Sequence, residues 1–258
     1  MPRDIDLVVL SDIHLGTRSC RADDLERYLA SIAPRRLVLN GDIVDVREWG
    51  KGWWPAAHTR VVERFLALAD AGCEVHYVTG NHDALLRLMT DRRIAGLRLV
   101  DQLELELGGR RTLFTHGDRI EHALPINRLL RRVACTGYNA LRGIDRAVNT
   151  AIRPLTDRRI GLLRATKVLG RAHIDRYDLA CARSGAERGY DSIVVGHIHR
   201  PRVAELDVGG RSMLYVNSGD WVGHASALEH DERTGWRVVH ADREPDGVPV
   251  TLDRPAMG

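Results

Sequence analysis

Five short blocks of this chain carry side chains that could hold divalent cations and use them. They read Asp12-Ile13-His14, Gly41-Asp42, Gly80-Asn81-His82-Asp83, His116-Gly117-Asp118 and Gly196-His197-Ile198-His199, each placed just past an apolar run. Seven residues in them, Asp12, His14, Asp42, Asn81, His116, His197 and His199, are oxygen or imidazole donors. A phosphoester resists attack because its oxygens are negatively charged. Two cations about 3.5–4 Å apart neutralise it, lower the pKa of a bridging water and hold nucleophile and leaving group in line. Such a site needs mixed oxygen and nitrogen donors and at least one carboxylate shared by both cations. Asp42, following Gly41, is the natural shared carboxylate, and Asn81 offers a neutral oxygen. Asp12 with His14, and His197 with His199, are spaced i, i+2 where a strand ends, so both side chains of a pair leave on one face. Gly80 and Gly196 precede ligands, where the backbone can turn sharply without Cβ strain. His82 sits beside a ligand but points elsewhere, toward the phosphate. Donors of this kind without thiolate favour Mn²⁺, with Fe or Zn²⁺ as the alternatives.

Taken singly, an Asp or His in a loop is most often a turn residue or a cap. Asp12 alone or His116 alone would carry nothing. Five blocks, each at the C-terminal end of an apolar strand, do. The remaining histidines, His58, His76, His122, His173, His224, His230 and His240, lack that context and read as structural or solvated. His58 and His224 are the two for which the sequence decides least.

The elements that must position these blocks follow from hydrophobic periodicity. Ile5 to Leu10, Leu37 to Leu39, Val75 to Val78, Leu113-Phe114 and Ser192 to Val195 are short, nearly continuous apolar runs that suit buried strands. Between them, Ala22 to Ile32 has helical spacing at Leu25, Tyr28, Leu29 and Ile32. Val61, Val62, Phe65, Leu66 and Ala69 give a second helix that ends at Gly72. This alternation implies a sheet covered by helices, with ligands in the loops at strand ends. Leu103 to Leu107 alternates with period two, and Gly108-Gly109 turns it back as a hairpin. Val203 to Val208, Met213 to Val216, Ala225 to Glu229 and Trp236 to Val239 read as strands of a second sheet, with a hairpin turn at Gly209-Gly210.

The expected organisation is a core in two parts, residues 1–118 and 178–241, interrupted by an insertion at 119–177 and followed by a loosely ordered tail, 242–258. The insertion is helical in pattern. It is dense in arginine, including Arg128, Arg131, Arg132, Arg142, Arg146, Arg153, Arg158, Arg159, Arg164, Arg171 and Arg176. It reads as a cap over the site.

Composition bounds the answer without naming it. The chain has 258 residues, 44% of them apolar, enough for one sizeable α/β domain or two small ones. The net charge of +3 makes no global argument for nucleic acid. The cysteines, Cys20, Cys73, Cys135 and Cys181, have no CxxC spacing and read as reduced thiols. Acids interrupt the N-terminus before any long apolar stretch, and no segment approaches the roughly 20 apolar residues a membrane span needs. A cytoplasmic protein is expected, with peripheral contact at the inner membrane left open.

The motifs Asp12-Ile13-His14, Gly41-Asp42-Ile43-Val44-Asp45, Gly80-Asn81-His82-Asp83, His116-Gly117-Asp118 and Gly196-His197-Ile198-His199 resemble the calcineurin-like metallophosphoesterase superfamily, over residues 5 to about 230. The resemblance implies a four-layer α/β/β/α sandwich of two mixed sheets with a dinuclear centre at one edge. Carried over by motif, Asp12, His14, Asp42 and His199 would hold one metal, and Asp42, Asn81, His116 and His197 the other. His82 would contact the phosphoryl group and protonate the leaving oxygen, with Asp83 or Asp12 orienting it.

A narrower likeness is carried by Leu10-Ser11-Asp12-Ile13-His14-Leu15-Gly16-Thr17, Trp53-Trp54-Pro55, Thr115-His116-Gly117-Asp118 and Asn217-Ser218-Gly219-Asp220-Trp221-Val222. These resemble the UDP-2,3-diacylglucosamine pyrophosphatase-like branch, whose enzymes cleave a UDP-linked, doubly acylated sugar in lipid A synthesis to UMP and a lipid sugar phosphate. The arginine-rich insertion sits where that branch has its cap. One departure is His82, where the best-known lipid A enzymes of the branch carry arginine.

These readings leave three functions to compare. The first is cleavage of a nucleotide-sugar pyrophosphate. The second is a general phosphodiesterase or phosphatase acting on nucleotides, nucleic acid or phosphoproteins. The third is a non-catalytic scaffold, which the complete ligand set disfavours. The cap arginines would grip an anionic, lipidic nucleotide-sugar or rest on an anionic membrane surface. Their alternative is a solvated basic face. Few aromatics interleave with them, which argues against stacking on single-stranded nucleic acid. Trp49, Trp53 and Trp54 either floor the site or pack under the insertion, and Trp221 falls near the metal edge.

Overall fold

A computed structural model describes residues 2–123 and 164–241, with side chains described for 2–123 and 173–241. The chain divides into two compact units, one of residues 1–119 with 181–258 and one of residues 120–180. Most of the arginine-rich segment, Cys135 and the tail from 242 lie outside the described residues. Within the second unit, His173 Nε2 lies 3.1 Å from Glu121 Oε1.

The first unit holds two mixed sheets. Its strands are β1 (Arg3–Leu10), β2 (Ile32–Asn40), β3 (Glu74–Val78), β4 (Arg93–Ile94), β5 (Leu97–Val100), β6 (Leu103–Leu107), β7 (Arg110–Phe114), β8 (Ser192–Val195), β9 (Arg202–Val208), β10 (Arg211–Asn217), β11 (Ser226–Asp231) and β12 (Gly235–His240). The first sheet runs β12-β11-β1-β2-β3-β5-β4, and the second β6-β7-β8-β10-β9. In the first, β1, β2, β3 and β5 are parallel. In the second, β7, β8 and β10 are parallel.

Helices α1 (Ala22–Ala30), α2 (Val46–Trp49) and α3 (Ala56–Asp70) belong to the first half of the chain; α4 (Asp118–Ala123) and α5 (Arg164–Glu187) come later. No described helix is long and apolar enough to cross a membrane.

Alternation along β1 builds the layers. Val8 and Leu10 join Leu37 and Leu39 of β2 in a cluster with Leu25, Tyr28 and Leu29 of α1 and Val61 and Phe65 of α3. Leu7 and Val9 face the other way, into a cluster with Val38, Val78, Phe114, Val194, Leu214 and Val216 between the sheets. A strand buried on both faces needs apolar residues at every position, which is why these runs are continuous. On the outer face of the second sheet, Gly185 of α5 lies against Ile193 and Met213. The result is the expected α/β/β/α sandwich.

Two expectations are corrected. Ile32 does not end the first helix; α1 stops at Ala30, Ser31 turns the chain, and Ile32 opens β2. The last four strands do not share a sheet: β9 and β10 lie in the second, but β11 returns to pair antiparallel with β1 and brings β12 into the first. The short β4 and β5 carry no clear apolar run and were not anticipated. The hairpin turns at Gly108-Gly109 and Gly209-Gly210 are present, all four glycines having positive φ. Among the described residues, Cys20, Cys73 and Cys181 form no disulfide.

Candidate metal centre

Because the central strands are parallel, their C-terminal ends emerge together, and each delivers one block. β1 leads to Asp12 and His14, β2 to Asp42, β3 to Asn81 and His82, β7 to His116, and β8 to His197 and His199. Backbone hydrogen bonds lash the loops to one another. Asp12 N donates to Gly41 O at 3.0 Å, His14 N to Asp42 O at 3.0 Å, and Gly196 N to His116 O at 3.1 Å. Asn40 Nδ2 donates to Thr115 O at 3.2 Å and so joins the two sheets under the site.

The backbone itself is unusual here. Asp12, His14, Asp42, His197 and His199 have φ between 50° and 71°, the left-handed region that non-glycine residues rarely adopt. Such residues persist only where the surroundings over-determine them, typically at functional sites. Gly80 and Gly196 do not have positive φ; their role is close approach. A Cβ on Gly196 would lie 2.5 Å from Asp12 Oδ2, and one on Gly80 would overlap Asp42 Oδ1. Glycine is therefore required for a different reason than the sharp turn the sequence suggests.

Six of the seven expected donors converge into two adjoining groups. Asp12, His14 and His199 bring ligand atoms within 4.8 Å of one another, and so do Asp42, His116 and His197. His14 Nε2 and His199 Nε2 face each other at 3.4 Å. His199 Nε2 is 3.2 Å from Asp12 Oδ1, and His116 Nε2 is 3.2 Å from Asp42 Oδ2. His116 Nδ1 meets Asn40 O at 2.9 Å, which turns Nε2 toward the carboxylates. Asp12 Oδ2 is held by Ser11 Oγ at 2.5 Å and by His197 N at 3.0 Å. Asp42 Oδ1 accepts His82 N at 2.8 Å.

The residues fit a pair of cations. Asn81 Oδ1 is a buried acceptor without a hydrogen-bond donor, and buried Asp12 Oδ1 meets only the imidazole of His199. Buried acceptors in that state are costly unless something positive meets them. Burial works against the charge on Asp12, but the imidazoles of His199, His116 and His14 hold its pKa below the usual carboxylate range. Asp42 is lowered in the same way, burial being outweighed by His116. Conversely, burial opposes charge on His116, yet Asp42 and Asp12 push it up to about 10; His199 is raised to about 9 against burial, chiefly by Asp12. The two carboxylates thus favour positive charge in a buried site, which is what bound cations would supply.

A third group adjoins the first: His14, Asp45 and His82. His82 Nδ1 is 2.6 Å from Asp45 Oδ2. The carboxylate at His82 is therefore Asp45, which sequence reasoning quoted in its motif but gave no role. Its spacing three residues after Asp42 was the available signal. Asp83 is committed elsewhere, accepting Ile43 N at 2.9 Å, Gly80 N at 2.5 Å and Tyr77 Oη at 2.7 Å. It ties the third ligand loop to the second. Asp118 accepts Arg87 Nη2 at 2.8 Å and likewise fastens the loop after His82 to the one after His116.

Of the histidines left open, His58 is structural: Nδ1 accepts Gly16 N at 2.9 Å, and Trp53 and Trp54 pack edge-on to its ring. His224 lies beside the site, as described below. Trp221 is fully buried against Tyr28, and its backbone N donates to Asp12 O at 3.1 Å. Trp49 is exposed.

The model of the calcineurin-like phosphoesterase family matches residues 5–201. The chain belongs to that family. It is accordingly a phosphoester or pyrophosphate hydrolase, and the divalent metals of the family have candidate ligands here. Among similar calcineurin-like phosphoesterases is the UDP-2,3-diacylglucosamine hydrolase of Stenotrophomonas maltophilia strain R551-3, 28% identical, with 91% of this chain and 98% of that protein covered. The enzyme of the same name from Aeromonas salmonicida strain A449 is 28% identical over 85% of this chain and 87% of its own length. Among solved structures, an archaeal phosphodiesterase is similar at 13% identity with a TM-score of 0.40, over 91% of this chain and 98% of that one.

Proposed function

We propose that this protein hydrolyses the pyrophosphate of a UDP-linked acylated sugar with two divalent cations, Mn²⁺ first among them. The adjacency of the groups Asp12/His14/His199 and Asp42/His116/His197 carries the reading. Asp12, His14 and His199 would hold one cation and Asn81, His116 and His197 the other, with Asp42 shared. When bound, the cations supply charge neutralisation of the phosphoryl group and an activated water.

The protein's own groups do the rest. Asp45 fixes the His82 ring by accepting at Nδ1, which leaves Nε2 as the atom that gives a proton to the departing oxygen. Asp83 holds the loop carrying Asn81 and His82 against the loop carrying Asp42. The substrate assignment is supported by the name shared by the relatives and by the length over which they match. In this reading the enzyme works in the cytoplasm at the inner membrane surface.

His82 favours a second reading, since the lipid A enzymes of the branch have arginine there: a phosphodiesterase of broader range. The test is a panel with Mn²⁺ of UDP-2,3-diacylglucosamine, bis(p-nitrophenyl) phosphate and single-stranded DNA. Release of UMP from the first, with kcat/KM well above the other two, supports the proposal. Preference for the diester or the DNA replaces it with the second reading.

A further inference from the structure

His224 repeats the arrangement that holds His82. His82 Nδ1 lies 2.6 Å from Asp45 Oδ2, and that oxygen is 3.7 Å from His14 Nδ1. His224 Nδ1 lies 2.6 Å from Asp220 Oδ2, and that oxygen is 4.0 Å from His199 Nδ1. Since His14 and His199 face each other through Nε2, the six residues are linked by successive contacts: His82, Asp45, His14, His199, Asp220, His224. Both outer imidazoles are part-exposed, 37% for His82 and 49% for His224, and both carboxylates behind them are buried, 6% for Asp45 and 1% for Asp220.

The turn at 220–224 is built to present His224 beside the site. Asp220 Oδ1 accepts the backbone N–H groups of Val222 at 2.8 Å, of Gly223, and of His224 at 3.3 Å. Trp221 N fastens the same turn to Asp12 O. Oδ1 takes the backbone N–H groups of the turn, and Oδ2 faces the imidazole. The three backbone N–H groups compensate the burial of Oδ1, and the imidazole of His224 meets the remaining oxygen. With Nδ1 engaged, Nε2 is the only ring nitrogen His224 can offer to another molecule.

We propose that His224 is a specificity-determining residue that contacts, through Nε2, the second phosphoryl group of a pyrophosphate-linked substrate. This rests on the reading above, in which His82 serves the phosphoryl group being cleaved. A simple phosphoester has one anionic group for one outer imidazole. A pyrophosphate has two, and His224 is a second part-exposed imidazole whose carboxylate adjoins a candidate ligand, His199.

The test measures competitive inhibition of bis(p-nitrophenyl) phosphate hydrolysis at fixed free Mn²⁺, with α,β-methylene-UDP and UMP as inhibitors. In His224→Ala the Ki of α,β-methylene-UDP is expected to rise by about tenfold or more, as loss of one hydrogen bond to a charged group would give, while that of UMP moves much less. Equal changes for both inhibitors, or none for either, overturn the proposal. His224→Gln, which retains a donor, is expected to fall between wild type and alanine, and it replaces alanine in the comparison if that variant does not fold. Wild-type protein that cleaves the simple diester but leaves UDP-2,3-diacylglucosamine intact would refute the substrate reading alone, because the inhibition is read on the diester.

Discussion

The His82 imidazole and the Asp45 carboxylate form a buried-to-exposed pair, Nδ1 to Oδ2 at 2.6 Å, at the rim of the candidate metal centre. Asp45 also caps α2, accepting Glu48 N at 3.1 Å through its other oxygen. Asparagine caps a helix as well as aspartate does, so Asp45→Asn separates the two roles. We expect Asp45→Asn to fold and bind metal normally while kcat drops by about 10²-fold or more, through loss of the charge that orients and supports the imidazole. His82→Ala should keep its metals and lose about 10²–10⁴-fold in turnover, the range for a positioned general acid. Metal content by elemental analysis alongside kcat checks both, and full activity in either variant would remove that residue from the mechanism.

Asp42 is the second quantity to test. It groups with His116 and His197, and it also acts electrostatically on His14 and His199 of the other group. A carboxylate serving only one cation would cost one when lost; a shared one costs both. We expect Asp42→Ala to fall from two bound cations to near none, whereas His14→Ala should retain part of its load. Equilibrium dialysis against Mn²⁺ decides between these outcomes. Chelation of the wild type should abolish hydrolysis and lower the melting temperature, since cations that bind only the folded state stabilise it by mass action.

Gly80 and Gly196 make a sharper packing prediction. Alanine at 196 would set its methyl group against Asp12 Oδ2 and Ser11 Oγ, and alanine at 80 would overlap Asp42 Oδ1 and the Asp42 backbone N. Overpacking of this kind costs about 1–3 kcal/mol, and here the displaced atoms are candidate ligands. Both variants should therefore lose metal affinity by more than they lose thermal stability. Calorimetric titration with Mn²⁺ beside a melting curve would show it, and wild-type affinity in either variant would contradict the packing account.

Why the sequence revealed the ligands but not their setting can be argued from the same residues. Strands buried on both faces are apolar throughout, so Ile5 to Leu10 or Ser192 to Val195 stand out, and the polar block that follows marks the strand end. What a strand pairs with leaves no such mark. Ala225 to Glu229 reads as a strand in either sheet; only the fold shows β11 beside β1, 226 positions away at the Arg3–Glu229 contact. Ile32 continued the helical spacing of α1 by coincidence, because the first residue of the next buried strand is also apolar. Asp45 and Asp220 were hidden for a related reason: each looks like a turn residue and is one, and its second oxygen faces an imidazole brought from elsewhere in the fold or the turn. The left-handed backbone of the ligands has no sequence signal at all, since Asp and His there are chosen for chemistry rather than conformation.

The clasp around Glu229 makes a prediction about pH that is independent of the metals. Glu229 is buried and accepts Arg3 Nη2 at 2.9 Å, Tyr28 Oη at 2.9 Å and Arg237 Nε at 2.8 Å, which pins β11 to the start of β1, to α1 and to β12. Burial raises its pKa, but the hydrogen bonds and charges of Arg3 and Arg237 outweigh burial and leave it below the ordinary value. A carboxyl with a depressed folded-state pKa contributes stability that is fully present above the unfolded value, near 4.5, and is lost as pH falls through the folded one. Glu229→Gln removes the charge but keeps the shape. It should cost about 1–3 kcal/mol at pH 7, the range for leaving buried partners poorly satisfied, discounted because both arginines reach solvent. The gap between variant and wild type should hold from pH 7 down to about 4.5 and then narrow as the wild-type carboxyl takes up its proton. Urea midpoints measured across that range provide the check, and a gap that widens with acid would mean that Glu229 is not held as the charged partner of its arginines.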